Sequence, residues 1–423
     1  VGQTASVLGS KTATFAFTIW VWEATGQATP LSLLVFFTAT PPIIASLFSG
    51  IIIDRFPRKR LMLLGDTIAG LSTIALLLLL LTNSLAIWQL YLASAVRGLF
   101  GYLHGMSFSA SMSMIVPQQH YTRTSALESA KGYGSNVLAP ALGATLYYAI
   151  GLTGILILDL VTFLFAISTL SFVTIPQPQA SKSESANEQK LWHQLSFGFR
   201  YILKRPSLLA ILLFLLTSNF MGNLSGAIFP AMILARSDDN AAVLASVEAS
   251  GGIGGLTGAI FLSVWGGFRR RIHGLLLGSM LSRIGGMVVG LGRLPWIWPI
   301  ARFWQTFFAS FVGSSNQAIW LSKVEPAVQG RVFTSRYLIA QVASPIGIAI
   351  AGPLADFVFE PAMQPTGMLA GILGGVFGTG EGSGMAVQYT LFCFLGGAIG
   401  LVSYLFVPVL RDVERILPDH RES

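Results

Sequence analysis

Charge is what this chain has least of. Only 10% of its 423 residues are Asp, Glu, Lys or Arg, while 53% are hydrophobic and the mean hydropathy is +0.68. Soluble globular domains carry about 25% charged residues, so a soluble fold is excluded in practice. Cysteine is nearly absent. Cys393 stands alone in an apolar run, which leaves neither a disulfide framework nor a thiolate metal cluster. No His or carboxylate pair has zinc spacing, and no Gly-x-Ser-x-Gly elbow stands between a strand and a helix. Enzymatic activity therefore lacks support, and no cofactor or metal is expected. The glycine-rich Gly378–Gly384 lacks the Gly-Lys-Ser/Thr ending of a phosphate loop and reads as a flexible loop. The formal net charge of +8 does not point to nucleic acid, because the cations punctuate loops instead of forming one patch. No cleavable signal peptide is evident; the chain starts at Val1, which fits a trimmed start or a longer polypeptide.

What is present is a series of apolar runs. A spanning helix needs about 20 mostly apolar residues, and twelve such runs fit here. The first six are Thr4–Trp22, Leu31–Ile53, Leu61–Thr82, Leu85–Phe108, Gly132–Ile150 and Gly154–Ile175. The second six are Leu208–Ile233, Ala242–Val264, Gly274–Leu294, Trp296–Ile319, Tyr337–Phe359 and Ala386–Val407. The fold class is thus an all-α integral membrane protein with 12 transmembrane helices in two six-helix bundles, at 1–175 and 208–410. Residues 176–207 form a linker and 411–423 a tail. Of the 26 Lys and Arg, twenty fall on one side by this assignment. Arg236 and Arg293 fall on the other, and Lys11, Arg97, Arg283 and Arg302 inside spans. The positive-inside rule then puts both termini and the linker in the cytoplasm, in a multi-pass protein of a bacterial inner membrane. Within the linker, Leu191, Leu195, Phe199 and Ile202 share one helical face, ahead of Lys204 and Arg205. That pattern predicts a helix lying at the membrane surface.

The halves are weak repeats offset by roughly two hundred residues. Arg58-Lys59-Arg60 answers to Arg269-Arg270-Arg271, and Ala139-Pro140 with Gly143 answers to Ser344-Pro345 with Gly347. Inverted or parallel repeats around a midplane site are a transporter architecture.

Between the second and third runs stands Gly50-Ile-Ile-Ile-Asp54-Arg55-Phe-Pro57-Arg58-Lys59-Arg60. It closely resembles the loop between helices 2 and 3 of the major facilitator superfamily, Gly-x-Leu-Ala-Asp-Arg-x-Gly-Arg-Lys. Gly50, Asp54, Arg55, Arg58 and Lys59 match it, while Ile52 and Pro57 replace a Leu and a Gly. The first helix, Val116-Pro117, Gly330-Arg331-Val332-Phe333 and Gly352-Pro353-Leu354-Ala355-Asp356 resemble the drug-efflux branch, similar to macrolide exporters and the enterobactin (siderophore) exporter. Antiporter members carry Gly-x-x-x-Gly-Pro-x-x-Gly-Gly in helix 5; here Ser135, Ala139-Pro140 and Gly143-Ala144 stand in those places. Pro140 and Gly143 are accordingly expected in close helix packing. In the second-half copy of the signature loop, Trp265 stands where Asp54 would be.

The resemblance implies a secondary exporter of amphipathic small molecules such as drugs, siderophores or peptide metabolites. It would be driven by proton exchange, work by alternating access and act as a monomer among membrane lipids. A lipid or lysolipid flippase of the same fold, and a noncatalytic anchor or sensor module, remain the alternatives. Gating is assigned to Gly50, Asp54, Arg55, Arg58 and Lys59, with Asp66 one turn into helix 3 joining them; a purely topogenic loop is the other reading. Ionisable groups within spans are costly and mark function by default. Arg97 matches the family's helix 4 signature, and His104 lies on the same face at i+7. Proton coupling is therefore expected at Glu23, Asp159, Arg97, His104 and Glu248. Substrate contacts are expected at Phe15, Phe17, Asn219, Phe220, Asn223, Arg283, Phe307, Phe308 and Gln317, because aromatics with a few amides suit bulky amphiphiles. Lipid-facing or packing roles compete at each of these positions.

Overall fold

Apolar runs of this length bury every backbone N–H and C=O within their own helix, which is what a bilayer core demands. In a computed structural model the described residues, 2–49, 52–53, 56–116, 120–173 and 188–419, contain helices and connecting turns and no strand. The first unit, residues 1–185 and 239–249, is built on α1 (Gly2–Thr25), α2 (Ala28–Ser46), α3 (Arg58–Leu81) and α4 (Ile87–Ile115). A long helical run, Tyr121–Phe172, is broken at Gly151 (φ 67°) into α5 (121–150) and α6 (152–172). Only glycine takes such a backbone conformation cheaply, so Gly151 is what turns the chain back. α1 lies along the α5–α6 run, α3 against α4 and α6, and α2 against α4.

The second unit, residues 186–238 and 250–423, opens with α7 (Glu188–Leu203). Toward its C-terminal end this helix is packed on the unit. Ile202 is fully buried, the Arg331 guanidinium lies 4.7 Å from the Phe197 ring centroid, and a Cβ at Gly198 would meet Arg331 O at 2.6 Å. Glycine at 198 thus permits a close approach that a side chain would block. α8 (Pro206–Gly226) and α9 (Phe229–Ala235) form one span interrupted just before Pro230. α10 (Ala241–Trp265), α11 (Arg271–Leu291) and α12 (Ile297–Lys323) follow. The next span is α13 (Gln329–Gln341), α14 (Ser344–Leu354), a π-helical turn Ala355–Phe359 and α15 (Glu360–Met363). Its first break precedes Pro345, whose ring cannot continue the preceding helix. α16 (Ala370–Phe377), α17 (Ser383–Phe406), α18 (Pro408–Arg411) and α19 (Val413–Ile416) complete it.

Eight stretches are long and apolar enough to cross a membrane, and one of them, Lys131–Phe172, holds two spans. The helices α1, α4 and α12 are long enough but fall outside that group. They carry Lys11, Arg97, His104, Arg302, Gln305 and Gln317, so their lower hydropathy reflects polar side chains within the span. Together these make the twelve spans expected from the sequence. Two details use the scarce cations of the second unit. Arg236 donates to Gly290 O (2.8 Å) and Phe377 O (3.2 Å), and Arg293 to Gly374 O and Gly375 O. These hold the segment that leads into the glycine-rich loop Gly378–Gly384. At the other end Lys323 donates to Leu417 O and pairs with Asp419 at 2.8 Å, while Glu414 accepts from Arg271 N at 2.7 Å. The start of the tail is thereby folded back on α11 and α12.

Candidate functional site

A carboxylate inside an apolar bundle needs partners, because an isolated buried charge costs several kcal/mol. Asp159, two turns into α6, is 3% exposed and has three. Its Oδ1 accepts from Ser10 Oγ of α1 at 2.9 Å. Its Oδ2 accepts from Thr73 Oγ1 of α3 at 2.9 Å and from Arg97 Nη2 of α4 at 3.3 Å. Four helices of the first unit thus converge on one carboxyl group.

A second acidic layer lies seven residues away along each of three helices. Asp66 of α3, 6% exposed, accepts from Gln3 Nε2 of α1 at 2.9 Å and stands 3.6 Å from His104 Nδ1 of α4. Gln3 and Ser10, Asp66 and Thr73, and His104 and Arg97 are each separated by two helical turns, about 10 Å. Both layers have the same composition: an acid, a nitrogen base from α4 and a neutral donor from α1. Asp66, expected to join the loop network, is placed in this interior pair, while the loop residues Gly50, Asp54 and Arg55 lie outside the described residues. His104 Nε2 is buried without a hydrogen-bond partner. The pairing of Arg97 and His104 on one face was readable from the i+7 spacing. The same spacing also relates Gln3 to Ser10 and Asp66 to Thr73, and would have identified the rest.

The other sequence candidates fall in several environments. Gly50, Asp54 and Arg55 lie outside the described residues. Arg58 Nη1 donates to Ala110 O near the end of α4, and Lys59 Nζ to Ser171 O near the end of α6 at 2.8 Å. Cations at helix C-termini are favoured by the exposed carbonyls there. Glu23 is exposed and accepts from Tyr147 Oη at 2.6 Å. Glu248 is half-buried on α10. Phe15 (9% exposed) and Phe17 (4%) are packed inside the first unit; a Cβ on Gly143 would meet Phe15 Cδ1 at 2.7 Å. Pro140 is buried beside them on α5.

In the second unit, Asn219 Nδ2 of α8 donates to Ala340 O at 3.0 Å, supplying a donor to a carbonyl at the interrupted end of α13. Phe220 and Asn223 close against Gly347, just past the interruption. Arg283 Nη2 donates to Ser218 O at 2.6 Å, and its guanidinium fills the space beside Gly222 and Gly396. Phe307 and Phe308 belong to an aromatic cluster with Phe261, Phe303 and Phe311. Gln317 is exposed and its Oε1 accepts from Arg336 Nη1 at 3.2 Å.

One contact that no motif announced closes the opposite end of the first unit. Asp238 and Asp239 both take positive φ, 51° and 59°, a conformation tolerated by Asp but uncommon. The turn aims Asp239 Oδ1 at Trp22 Nε1, 2.6 Å away at the end of α1. A hydrogen bond to a charged acceptor is worth about 1.5–3 kcal/mol net. Trp22→Phe keeps the ring bulk and removes the donor. Amide exchange over residues 239–249 should then accelerate roughly 10- to 100-fold; unchanged exchange would mean this bond does not hold the segment.

Comparison with known proteins places these features in a family. The profile of the Major Facilitator Superfamily matches residues 1–348. Macrolide efflux protein A of Streptococcus pyogenes is 23% identical over 359 residues, covering 84% of this chain and 88% of the relative. Multidrug efflux pump Tap of Mycolicibacterium fortuitum is 22% identical over 353 residues, 81% of this chain and 84% of the relative. Among solved structures, a POT family transporter in complex with a thioalcohol-conjugated peptide superposes with a TM-score of 0.71 at 12% identity, over 97% of this chain and 96% of the other. An inward-facing bacterial homolog of the human lysosomal transporter Spinster gives 0.67 at 15% identity, over 96% of each chain. These solved structures share the fold.

Proposed function

Because the chain belongs to the Major Facilitator Superfamily, we propose that it exports amphipathic small molecules in exchange for protons. The membrane is a bacterial inner membrane, with both termini and the cation-rich loops in the cytoplasm. The efflux relatives support the direction. The observation that carries the coupling is Asp159, a buried carboxylate held by α1, α3 and α4.

A transporter needs a group whose interactions differ between two states, since only a differential interaction shifts an equilibrium. Asp159 meets that requirement. A proton on Oδ2 removes the acceptor that Arg97 Nη2 and Thr73 Oγ1 share, and leaves Arg97 a buried cation in search of another partner. Losing one member of a buried pair costs about 3–5 kcal/mol, enough to favour a different packing of α4 on α6. Asp66 and His104, two turns further along, offer the proton a second carboxylate–base pair on the same helices. Alternating access then consists of the two six-helix halves rocking about a midplane site. No metal or organic cofactor enters this scheme; the proton gradient is the driving force, and a monomer suffices.

The test uses inverted vesicles containing the whole chain and a macrolide, the compound class for which the streptococcal relative is named. Accumulation should follow an imposed pH gradient and collapse on adding a protonophore. Accumulation that persists after the collapse, or that a sodium gradient alone sustains, would overturn proton coupling.

A further inference from the structure

Lys11 is an intramembrane cation with no acid to balance it among the described residues. Lys11 lies midway along α1, directly after the Ser10 that serves Asp159, but turned toward α5. Among the described residues its ammonium has a single acceptor, the neutral Asn136 Oδ1 at 2.6 Å, and no carboxylate. An ammonium has three donors, so two are left unused by the protein. The contrast with the neighbouring cations is direct. Arg97 has Asp159 at 3.3 Å, and Lys131 has Glu128 Oε2 at 2.7 Å.

The surroundings add charge and room. Lys131 lies on α5, five residues before Asn136, close enough for the two ammonium groups to repel one another. It also sits 4.8 Å from the Phe108 ring centroid of α4. Asn136 and, one turn along α1 from Lys11, Thr14 are exposed. Added Cβ atoms at Gly105 of α4 or at Gly132 and Gly134 of α5 would meet nothing within 4 Å. A lysine within a span that no acid balances is unfavourable unless something negative visits it.

We propose that Lys11, Asn136 and Lys131 form the binding site for an anionic head group, a carboxylate, sulfonate or phosphate, on the amphiphile that the protein exports. Lys11 supplies the unspent charge and donors, Asn136 orients the ammonium, and Lys131, already paired with Glu128, supplies a weaker second contact. The apolar remainder of the ligand lies along the surrounding helices. The assignment rests on the transport reading and narrows its substrates to anions. It also puts the cargo contact, Lys11, next to Ser10, which donates to the proton-carrying Asp159.

Binding without any gradient tests it apart from coupling. The probe is a dansyl-labelled undecanoic acid, compared with its methyl ester, on the purified chain in nanodiscs. Wild type should bind the acid at least tenfold more tightly than the ester. Lys11→Gln should weaken the acid about tenfold, one charge-assisted hydrogen bond, and leave the ester unchanged; Lys11→Arg should restore the acid. Lys131→Gln should weaken the acid by a smaller factor. Equal binding of acid and ester, binding of neither, or an acid preference that survives Lys11→Gln would overturn the site. A parallel loss of both ligands in Lys11→Gln and Lys11→Arg would make Lys11 a packing residue and also overturn it. Acid-selective binding without proton-driven accumulation would instead reject the coupling and leave the site standing.

Discussion

Asp159→Asn should abolish proton-driven accumulation, by about 100-fold or more, while leaving the protein folded and able to exchange substrate across the membrane without a gradient. The amide keeps the shape of the carboxyl group. It still offers an oxygen to Ser10 or Thr73, so the α1–α6 and α3–α6 contacts need not open. What it loses is the ability to alternate between a charged acceptor for Arg97 and a protonated one. The locked state resembles the protonated one, and each 1.4 kcal/mol of lost differential interaction is a factor of ten. With about 3–5 kcal/mol at stake for a buried pair, two decades is a conservative figure. Two readouts separate coupling from collapse. Counterflow of labelled substrate should survive in Asp159→Asn, and the double variant Asp159→Asn/Arg97→Gln should regain thermal stability without regaining uphill transport, since the two residues share one interaction. Uphill transport by Asp159→Asn at more than a tenth of the wild-type rate would remove Asp159 from the mechanism.

Glu23 supplies the internal comparison. Both acids were sequence candidates for proton coupling. The structure gives Glu23 an exposed position and a tyrosine hydroxyl, and gives Asp159 a buried position and a guanidinium. Solvent screens the first and burial strengthens the second, so Glu23→Gln should cost far less transport than Asp159→Asn.

Which parts of this were legible beforehand follows from what hydropathy and spacing encode. Spans are local properties, and the twelve apolar runs correspond to the observed helices, including the reversal at Gly151 between two of them. Interruptions within spans are only half local. Pro140 sits inside an unbroken α5, whereas α13 stops before Pro345, where Asn219 from α8 provides a donor to Ala340 O. The proline was visible; the asparagine that accommodates the break lies 121 residues away in sequence. Polar partnerships are less local still. Arg97 and Asp159 stood out as ionisable groups within spans, but their pairing depends on how α4 and α6 are rotated about their axes. Lys11 was visible as a cation out of place, and only the absence of a nearby acid gives that meaning. Phe15 and Phe17 are buried in the first unit, and the approach of Phe15 to Gly143 of α5 is a tertiary contact that no local spacing announces.

Gly98→Leu should prevent the first unit from assembling, and even Gly98→Ala should lower the apparent melting temperature by about 5 to 10 °C, corresponding to roughly 1–3 kcal/mol of overpacking. Gly98 follows Arg97 on α4 and faces α2, where a Cβ would press into the backbone carbonyl of Thr38, with Thr38 C only 3.2 Å away. A side chain could swing aside, but a helix carbonyl moves only with its helix. Membrane helices associate through such close contacts because lipid offers no hydrophobic drive between them. Separating α4 from α2 would also carry Arg97 away from Asp159, so transport should fall further than stability alone explains. Gly101, one turn along α4, is the control: a Cβ there meets nothing within 4 Å, and alanine is the better helix former. Gly101→Ala should therefore melt at or slightly above the wild-type temperature. If Gly98→Ala and Gly101→Ala melt alike, the contact between α2 and α4 does not have the closeness that places Arg97 beside Asp159.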